Sequence, residues 1–358
     1  MMKDNIKKPK VLIGMSGGVD SSVAAVLLKD EGYDVIGVTM KLLNEEDNGT
    51  CCNLDSTLDA KRVCDFLEIP HYTLNFKDEF KKYVIDDFIN SYKNLRTPNP
   101  CIECNKYLKF GAMYKKAKEL GCDYIATGHY AKVEFSEKYN KNVIKKSDAI
   151  GKDQSYVLYS IDKQVLDSFL LPLGSFKTKS EIREIAKKYN LPVANKPDSE
   201  DICFITDGDY KKYLETHSDI KENIGNIVNK QGLVLGKHKG LYRYTIGQRR
   251  GLGVSYKEPL FVTGYNKDKN ELIVGTEPET YTKEFMVSDL NWLLFDTLEQ
   301  EMKVKVKVRY TAKECNATII PIEDKVKVIF DEPQKYVTPG QSAVFYIDDI
   351  VIGGGKIE

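Results

Sequence analysis

The sequence has no excess of charge, because 53 lysine and arginine residues balance 53 aspartate and glutamate residues. A neutral chain has no overall electrostatic attraction for nucleic acid, so any such contact needs a local basic surface. Long apolar runs are also missing, and the longest in the first part of the chain, residues 23–28, is far too short for a membrane span. The apolar stretch after the basic start is shorter than that of a signal peptide. We therefore expect a cytoplasmic protein without a membrane partner.

The eight cysteines lack the setting in which structural disulfides form, since no export signal is recognised. We expect thiols, metal ligands or catalytic groups instead. Cys64 and Cys122 fall in apolar patterns and are expected to be buried. The cysteines stand at positions 51, 52, 64, 101, 104, 122, 203 and 315.

The first 130 residues alternate between strand and helix patterns, which predicts an α/β fold with a doubly wound parallel sheet. Ligands of such sheets lie beyond the carboxyl ends of the strands. Ser16–Asp20, Met40 and Gly128 each follow a predicted strand, so we expect them to converge there. The predicted helices include 78–95, 106–120 and 178–189.

The pattern changes twice further along the chain. Short apolar runs with many Gly and Tyr residues predict a small β-containing module, and residues 302–310 then alternate between apolar and charged side chains. Such strands are best accommodated in a closed antiparallel barrel. We predict a catalytic domain over 1–207, a small central domain over 208–280 and a C-terminal β-barrel over 281–358.

Residues 14–22, GMSGGVDSS, follow a predicted buried strand and open a helix. Glycines there allow backbone amides to approach a phosphate, and Ser16, Ser21 and Ser22 add hydroxyl donors. Asp20 is a candidate to bind Mg²⁺ or to position the loop. The segment is neither a Walker A loop, because no Lys-Ser/Thr pair follows, nor a dinucleotide fingerprint. The alternative is a glycine-rich helix start without a ligand.

Two separate segments carry the cysteines of greatest interest. TPNPCIECN (97–105) places Cys101 and Cys104 in a C-x-x-C just ahead of a predicted helix, where thiols are more nucleophilic. PDSEDICFI (197–205) carries Cys203. A structural zinc site would need a second ligand pair, which the sequence lacks. A thioredoxin-like redox site would leave the phosphate loop without a purpose.

SGGVDSS resembles the signature of the N-type ATP pyrophosphatases, which implies cleavage of ATP to AMP and pyrophosphate. Together with TPNPxxxCN, YIATGHYA, KDQSYVLY, DSEDICFI, YTIGQRRGLGV and PGQSAVFY, it is similar to the tRNA-specific 2-thiouridylase (MnmA) family over nearly the whole chain. The resemblance implies ATP-dependent 2-thiolation of the wobble uridine of tRNA. The partners implied are tRNA and a persulfide sulfur donor.

The resemblance also implies roles for individual residues. Cys203 would carry a persulfide, and Cys104 would attack it or form the resolving disulfide. The positions implied for ATP are Gly14, Met15, Ser16, Gly17, Gly18, Val19, Asp20, Ser21, Met40 and Gly128. Those implied for tRNA are Asn99, Pro100, Cys101, His129, Lys152, Asp153, Gln154, Arg309, Tyr310 and Gln341.

One position departs from the family, because many members have Asp where this chain has Cys101. Either the thiolate takes over the acid–base work of that Asp, or another group does. Alternatively, Cys101, Cys104 and Cys203 could be the three ligands of a [4Fe-4S] cluster, since clusters are ordinarily held by cysteine. Two other functions stay open: a ligase acting on a small molecule, and a non-catalytic cysteine-based metal or redox protein.

Residues 237–250, KHKGLYRYTIGQRR, contain no acidic residue and interleave basic residues with Tyr242 and Tyr244. Such a segment suits contact with phosphates and stacking on an unpaired base. A solvated basic face is the equally good alternative from the sequence.

Overall fold

The computed structural model describes residues 8–43, 54–149, 151–198, 202–205 and 207–358. Cys51, Cys52 and residues 199–201 lie outside them. No helix within these ranges is long and apolar enough to cross a membrane. The chain divides into two compact units. Unit 1 contains Met1–Val84, Cys101–Gly208 and Asp349–Ile352, and unit 2 contains Ile85–Pro100, Asp209–Asp348 and Gly353–Glu358.

Unit 1 is built on a five-stranded sheet in the order β3-β2-β1-β4-β7, in which all neighbouring strands are parallel. Parallel pairing requires crossovers, and helices supply them. The predicted doubly wound α/β sheet is thereby confirmed. Its strands are β1 (Lys10–Gly14), β2 (Asp34–Lys41), β3 (His71–Asn75), β4 (Tyr124–Ala126) and β7 (Phe169–Leu170).

The core of this sheet follows from the sequence pattern. Val11 and Ile13 of β1 are fully buried, and Val23 of the first helix packs in the same cluster. Among the described residues, the α-helices are α1 (Val19–Asp30), α2 (Leu54–Phe66), α3 (Lys77–Phe80), α4 (Asp86–Lys93), α5 (Pro100–Glu103), α6 (Met113–Glu119), α7 (Lys179–Lys188) and α8 (Tyr210–His217). The same residues include the π-helical segments π1 (Lys81–Ile85) and π2 (Cys104–Ala112), and short 3₁₀ turns at Ser155–Leu158, Lys163–Ser168, Leu241–Arg243 and Glu277–Thr280.

The helix predicted over 106–120 begins earlier, at Pro100, and runs through α5, π2 and α6. Proline is favoured at the first helical position because its missing N–H would have no partner there. Cys101 and Cys104 therefore lie inside the helical run, which corrects the prediction that they precede it. Cys104 opens the π-helical segment, a geometry that often marks functional sites.

One hairpin of unit 1 is absent from the sequence prediction. Strands β5 (Ala131–Ser136) and β6 (Lys141–Lys146) pair antiparallel, and Lys145 pairs with Ile350 at the start of the last strand, β17 (Ile350–Ile357). The strand predicted before Gly128 is short, since β4 ends at Ala126. β5 (AKVEFS) alternates between apolar and polar residues over only six positions, and β6 (KNVIKK) carries lysines on both faces, so the apolar pattern of the hairpin is weak.

Unit 2 contains a four-stranded sheet, β10-β11-β8-β9, and the strands of a barrel. The barrel order is β12-β15-β14-β13-β16-β17, and β17 returns to pair with β12, which closes six strands. The predicted C-terminal β-barrel is confirmed. The strands are β8 (Gly225–Asn229), β9 (Val234–His238), β10 (Phe261–Asn266), β11 (Glu271–Gly275), β12 (Tyr281–Trp292), β13 (Met302–Lys307), β14 (Cys315–Ile322), β15 (Lys325–Lys335), β16 (Ser342–Ile347) and β17 (Ile350–Ile357).

Candidate nucleotide and cysteine sites

The phosphate loop connects β1 to the start of α1. Gly18 is the N-cap of α1, and no side chain caps the helix. The first amides of a helix have no partner inside it, and they carry partial positive charge. Gly17 has a φ of +69°, and a Cβ there would lie 2.2 Å from the Ser56 carbonyl oxygen. The loop is therefore shaped for an anion, and glycine is required at 17.

The serines of the loop have different roles. The Ser22 hydroxyl donates to the Gly18 carbonyl at 2.8 Å, and the Ser21 hydroxyl donates to the same oxygen at 3.3 Å. Both residues are buried, whereas Ser16 is exposed. The expectation that all three hydroxyls face a ligand is wrong for Ser22, which is fully buried and closes the first turn of the helix.

Gly128 lies against the loop, as expected from its place after β4. A Cβ on Gly128 would stand 2.9 Å from the Ser21 amide nitrogen, so only glycine allows this approach. Met40 is different, because it lies within β2 rather than beyond its end. The Met15 amide donates to the Val38 carbonyl at 2.7 Å, so β2 supports the loop.

Charged side chains from distant parts of unit 1 surround the loop. Asp20 Oδ1 accepts hydrogen bonds from the Tyr130 hydroxyl, at 2.7 Å, and from the Lys179 ammonium group. The Lys196 ammonium group donates to the Gly17 carbonyl at 3.0 Å. The sequence prediction missed both lysines, although Lys179 opens a predicted helix.

Two carboxylates that lie outside the loop also contact these lysines. Asp198 Oδ1 lies 3.2 Å from Lys179 Nζ and 2.9 Å from Arg183 Nη2. Asp59 Oδ2 lies 2.8 Å from Lys196 Nζ. The hydrogen bond from Lys196 lowers the pKa of Asp59, and Lys179 lowers the pKa of Asp198 although burial opposes this shift. Both carboxylates are therefore ionised at neutral pH.

The loop offers one carboxylate, Asp20, for a magnesium ion. Mg²⁺ is usually bound by one or two carboxylates together with substrate phosphates and waters. A single carboxylate beside a phosphate-binding loop fits that arrangement. Asp20 is thus the residue that would hold Mg²⁺ together with the phosphates of ATP.

The cysteines of interest are thiols in different environments. Cys101 is exposed, Cys104 is buried and Cys203 is partly buried. The helix that bears the first two is anchored by its neighbours, because Asn105 Nδ2 donates to the Val157 carbonyl at 2.9 Å. The Oδ1 atom of the same amide is buried and has no hydrogen-bond partner among the described residues.

The turn that carries Cys203 is anchored by Phe204, the apolar residue that follows the cysteine. Phe204 is buried, and its ring packs edge-on against Phe80 at 5.7 Å between centroids. Phe80 ends α3, which follows β3 at the carboxyl end of the sheet. This contact places the Cys203 segment beside α3, near the carboxyl end of the sheet.

An iron–sulfur cluster needs three or four cysteine ligands close together. Among the described residues, no group of three or more His, Cys, Asp or Glu side chains is placed to hold a metal ion. Cys101, Cys104 and Cys203 thus do not fit a cluster in this structure. Cys64 and Cys122 are buried, as expected, and burial raises the pKa of the Cys64 thiol to about 12.

His129 is buried rather than open to a ligand. Its Nδ1 atom lies 2.7 Å from the Thr127 hydroxyl, and its Nε2 atom lies 3.5 Å from Lys109 Nζ. Burial, and then the charge of Lys109, hold the pKa of His129 well below its usual value. The imidazole is therefore neutral, and it connects the segment after β4 to the cysteine-bearing helix.

Two of the three residues in the KDQ segment have internal hydrogen bonds. Asp153 Oδ2 accepts from the Ser155 hydroxyl at 2.8 Å, and Gln154 Oε1 accepts from the Tyr130 amide at 2.9 Å. Lys152 is exposed, with its Nζ 3.8 Å from Asp198 Oδ2. Of this segment, Lys152 is the residue most accessible to a phosphate.

The remaining positions implied for tRNA lie in unit 2. Gln341 Nε2 donates to the carbonyls of Thr97 and Pro98, at 2.8 and 3.2 Å, and so holds the segment that leads to Asn99. Asn99 is half-buried and Pro100 is buried.

Two neighbouring residues follow strand β13. Arg309 Nη2 donates to the Ile246 carbonyl at 2.8 Å, and the guanidinium group lies over the Tyr336 ring. Tyr310 is exposed.

The basic segment 237–250 is less open than its sequence suggests. Tyr242 is buried and donates to Glu215, and Arg243 pairs with Glu215 and Glu222. Tyr242 is therefore not available to stack on a base. The acidic partners come from outside the segment, so the sequence pattern could not reveal them.

Comparisons with known proteins cover nearly the whole chain. A family described as the tRNA methyl transferase HUP domain matches residues 9–207. The tRNA methyl transferase PRC-barrel domain matches 211–276, and the aminomethyltransferase β-barrel domain matches 282–357.

Relatives with the name tRNA-specific 2-thiouridylase MnmA are similar along their entire length. The protein of Clostridium botulinum strain Alaska E43 is 53% identical over 99% of both chains. Those of Clostridioides difficile and Acetivibrio thermocellus are 50% and 48% identical over at least 98% of each chain. One solved structure that is similar to this chain is the U34-tRNA thiolase NcsA of Methanococcus maripaludis with its [4Fe-4S] cluster. The similar region covers 61% of this chain and 70% of that protein, at 22% sequence identity. The TM-score of 0.36 is too low to support an inference. The full-length identity shows that this chain belongs to the tRNA-specific 2-thiouridylase MnmA family.

Proposed function

We propose that this protein uses ATP to replace the C2 oxygen of the wobble uridine of tRNA with sulfur. The observation that carries the proposal is the uncapped start of α1 against Gly128, in a chain that is about half identical to named 2-thiouridylases over its full length. The C2 oxygen is a poor leaving group, and adenylation makes it a good one. The loop supports ATP binding, and the cysteines of the same unit support sulfur transfer.

The proposed ATP site is the loop with its two neighbours, and Asp20 binds Mg²⁺ together with the phosphates. Ser21 contributes its backbone amide, since its hydroxyl turns back onto Gly18. The residues assigned to ATP are Gly14, Met15, Ser16, Gly17, Gly18, Val19, Asp20, Ser21, Met40 and Gly128.

Sulfur arrives from a persulfide-bearing donor protein and is carried by Cys203 as a persulfide. The Cys104 thiolate attacks Cys203 Sγ, which breaks the S–S bond, closes a Cys104–Cys203 disulfide and releases hydrosulfide. Hydrosulfide adds to C2 of the adenylated uridine, and AMP leaves with the former C2 oxygen. A thiol reductant then returns two electrons to the disulfide. This need favours the cytoplasm, where thiols are kept reduced.

The exposed Cys101 replaces the Asp of many relatives, and we propose that its thiolate does the acid–base work at the base. Tyr310, Asn99 and Lys152 are the accessible candidates for tRNA contact. The others support these contacts from buried or hydrogen-bonded positions: Pro100, His129, Asp153, Gln154, Arg309 and Gln341. We also propose the domain bounds 1–207, 208–280 and 281–358.

The test is thionucleoside analysis of tRNA after incubation with ATP, Mg²⁺ and a persulfide donor. A tRNA with cytidine at the wobble position is the matched control. We expect 2-thiouridine and pyrophosphate only with the uridine-bearing tRNA. Pyrophosphate release without tRNA would instead indicate a small-molecule ligase, and no pyrophosphate at all would indicate a non-catalytic cysteine protein.

A further inference from the structure

Lys109 differs from the lysines beside the phosphate loop in its partners. Within the described ranges, the only hydrogen bond of its ammonium group is to the His129 imidazole, at 3.5 Å, and it forms no ion pair there. Lys179 and Lys196 each contact a carboxylate outside the loop. Lys109 is half-buried. It therefore carries a positive charge that no described carboxylate compensates.

The imidazole of His129 holds this ammonium group in place. An ammonium group can only donate, so His129 Nε2 accepts and the proton of the neutral ring is on Nδ1. Nδ1 then donates to the Thr127 hydroxyl at 2.7 Å. Burial and the charge of Lys109 lower the pKa of His129, so the ring does not take up the lysine proton. Two N–H groups of Lys109 remain available to a ligand.

Lys109 lies on the helical run that carries two of the cysteines. Cys104 opens π2, and Lys109 follows five residues later, which is one turn in the i→i+5 pattern of a π-helix. Helical side chains lean toward the N-terminal end, so that of Lys109 leans back over the turn that begins at Cys104. The residue before Cys104 is the buried Glu103, which adds no positive charge. Lys109 is thus the half-buried cation of this turn.

The sulfur steps of the proposed function release an anion beside this turn. When the Cys104 thiolate attacks Cys203 Sγ, the electron pair of the persulfide S–S bond leaves with hydrosulfide. Hydrosulfide is small, and it diffuses away unless a group holds it until it adds to C2 of the adenylated uridine. A half-buried cation attracts an anion more strongly than a fully solvated one, because solvent and salt screen it less.

We propose that the Lys109 ammonium group binds the hydrosulfide ion released from Cys203 and holds it for addition to C2. Lys109 touches the reacting sulfur and is a catalytic residue, whereas His129 and Thr127 position it. The inference rests on the proposed function, because it requires the persulfide route of sulfur transfer.

The first experiment follows the sulfur of a single turnover. The protein is loaded with persulfide, freed of the donor and mixed with ATP, Mg²⁺ and tRNA, and escaping sulfide is trapped with monobromobimane. We expect Lys109→Met to raise the ratio of trapped sulfide to 2-thiouridine at least about tenfold, because a charge-assisted contact is lost. Pyrophosphate release should persist. Lys106→Met, at an exposed lysine of the same segment, should change neither quantity.

The outcomes separate this inference from the proposed function. A sulfide ratio within about twofold of the wild type in Lys109→Met would overturn the inference alone. Loss of pyrophosphate release in that variant would also overturn it, because the lysine would then serve adenylation. A wild type that forms no 2-thiouridine from its loaded persulfide would defeat the proposed function as well.

A second pair of variants isolates the charge, because Lys109→Met also removes the donor to His129 and could unfold the chain. In Lys109→Gln the amide can still donate to the imidazole but carries no charge, so the same rise in escaping sulfide is expected. Lys109→Arg keeps the charge and should stay near the wild-type ratio. Equal sulfide ratios in these two variants would show that the charge does not hold hydrosulfide, and the proposal would fail.

Discussion

The phosphate loop and the cysteine segments belong to the same unit, but they are assembled to different degrees. The loop is held by contacts from α2, the segment after β4, and α7, and its glycines fit against backbone atoms of neighbouring segments. The three cysteines are individually anchored through Asn105 and Phe204, with one thiol exposed and another buried. The loop is therefore preformed, whereas the described cysteines lie in separate segments of the chain and form no metal-ligand group of three.

This difference has a chemical reason. Binding a phosphate benefits from fixed amides and cations, because preorganised dipoles need not be ordered during binding. A sulfur carrier must instead meet a donor protein, a partner thiol and the base in turn. The two regions should thus respond differently to mutation.

The largest effect is expected from the cysteines. Cys203→Ser and Cys104→Ser should each lower thiolation by at least about 1,000-fold, because the nucleophile or the sulfur carrier is lost. Pyrophosphate release that depends on tRNA should persist, since the loop is untouched. Thionucleoside analysis and a pyrophosphate assay on the same samples measure both, and Cys122→Ser is the buried control. Retained thiolation in Cys203→Ser would remove the persulfide role.

Cys101 distinguishes the persulfide route from a cluster. Cys101→Ala should lower thiolation by about 100-fold, the usual size of an acid–base contribution, and Cys101→Asp should restore most of it. The measurement is thionucleoside formation by anaerobically purified protein, with iron and sulfide analysis of each preparation. Iron that is present in the wild type and lost in an inactive Cys101→Asp variant would support the cluster instead.

The preformed loop is tested by Gly17→Ala. The φ of +69° and the 2.2 Å approach of a Cβ to the Ser56 carbonyl oxygen both oppose the change. We expect a loss of about 1–3 kcal/mol in the free energy of unfolding and weaker ATP binding. Gly32→Ala is the matched control, since its φ is +90° but no atom lies within 4 Å of its Cβ. Equal losses of unfolding free energy in both variants would show that the close approach to α2 contributes nothing to the requirement for glycine at position 17.

The smallest effect concerns pH and the link that His129 makes between the two regions. Its pKa is lowered in the folded state, so below the unfolded-state value of about 6.5 the unfolded chain binds a proton that the folded chain does not. Its contribution to stability is complete above about pH 6.5 and falls as the solution becomes more acidic. The slope of the unfolding free energy against pH, measured by denaturant titrations below pH 6.5, should fall by up to about 1 kcal/mol per pH unit in His129→Gln.

The slope should not vanish in that variant, because burial also lowers the pKa values of His71 and His238. His217→Gln is the control, since His217 is exposed. An unchanged slope in His129→Gln would show that the imidazole is not a buried neutral group.

Much of the fold could be predicted because its patterns are local. Residues 302–308 alternate and form a barrel strand with Val304 and Val306 inside, and GMSGGVDSS forms the turn from β1 to α1. The β5–β6 hairpin was not predicted, because β5 alternates over only six residues and β6 carries lysines on both faces. The start of the helix at Pro100 was not predicted, because the regular helical spacing of apolar residues begins only after the two cysteines.

The sequence by itself determined the parallel sheet, the barrel, the phosphate loop and the family, since each depends on residues that are adjacent or regularly spaced. Only the tertiary structure decided which charges surround that loop. Lys179 and Lys196 lie far from it along the chain, and no local pattern marks a lysine that will meet Asp20 or Gly17. The same holds for Tyr242, whose burial against Glu215 depends on a helix outside its own segment. Long-range contacts of this kind are set by packing, so a spacing rule does not contain them.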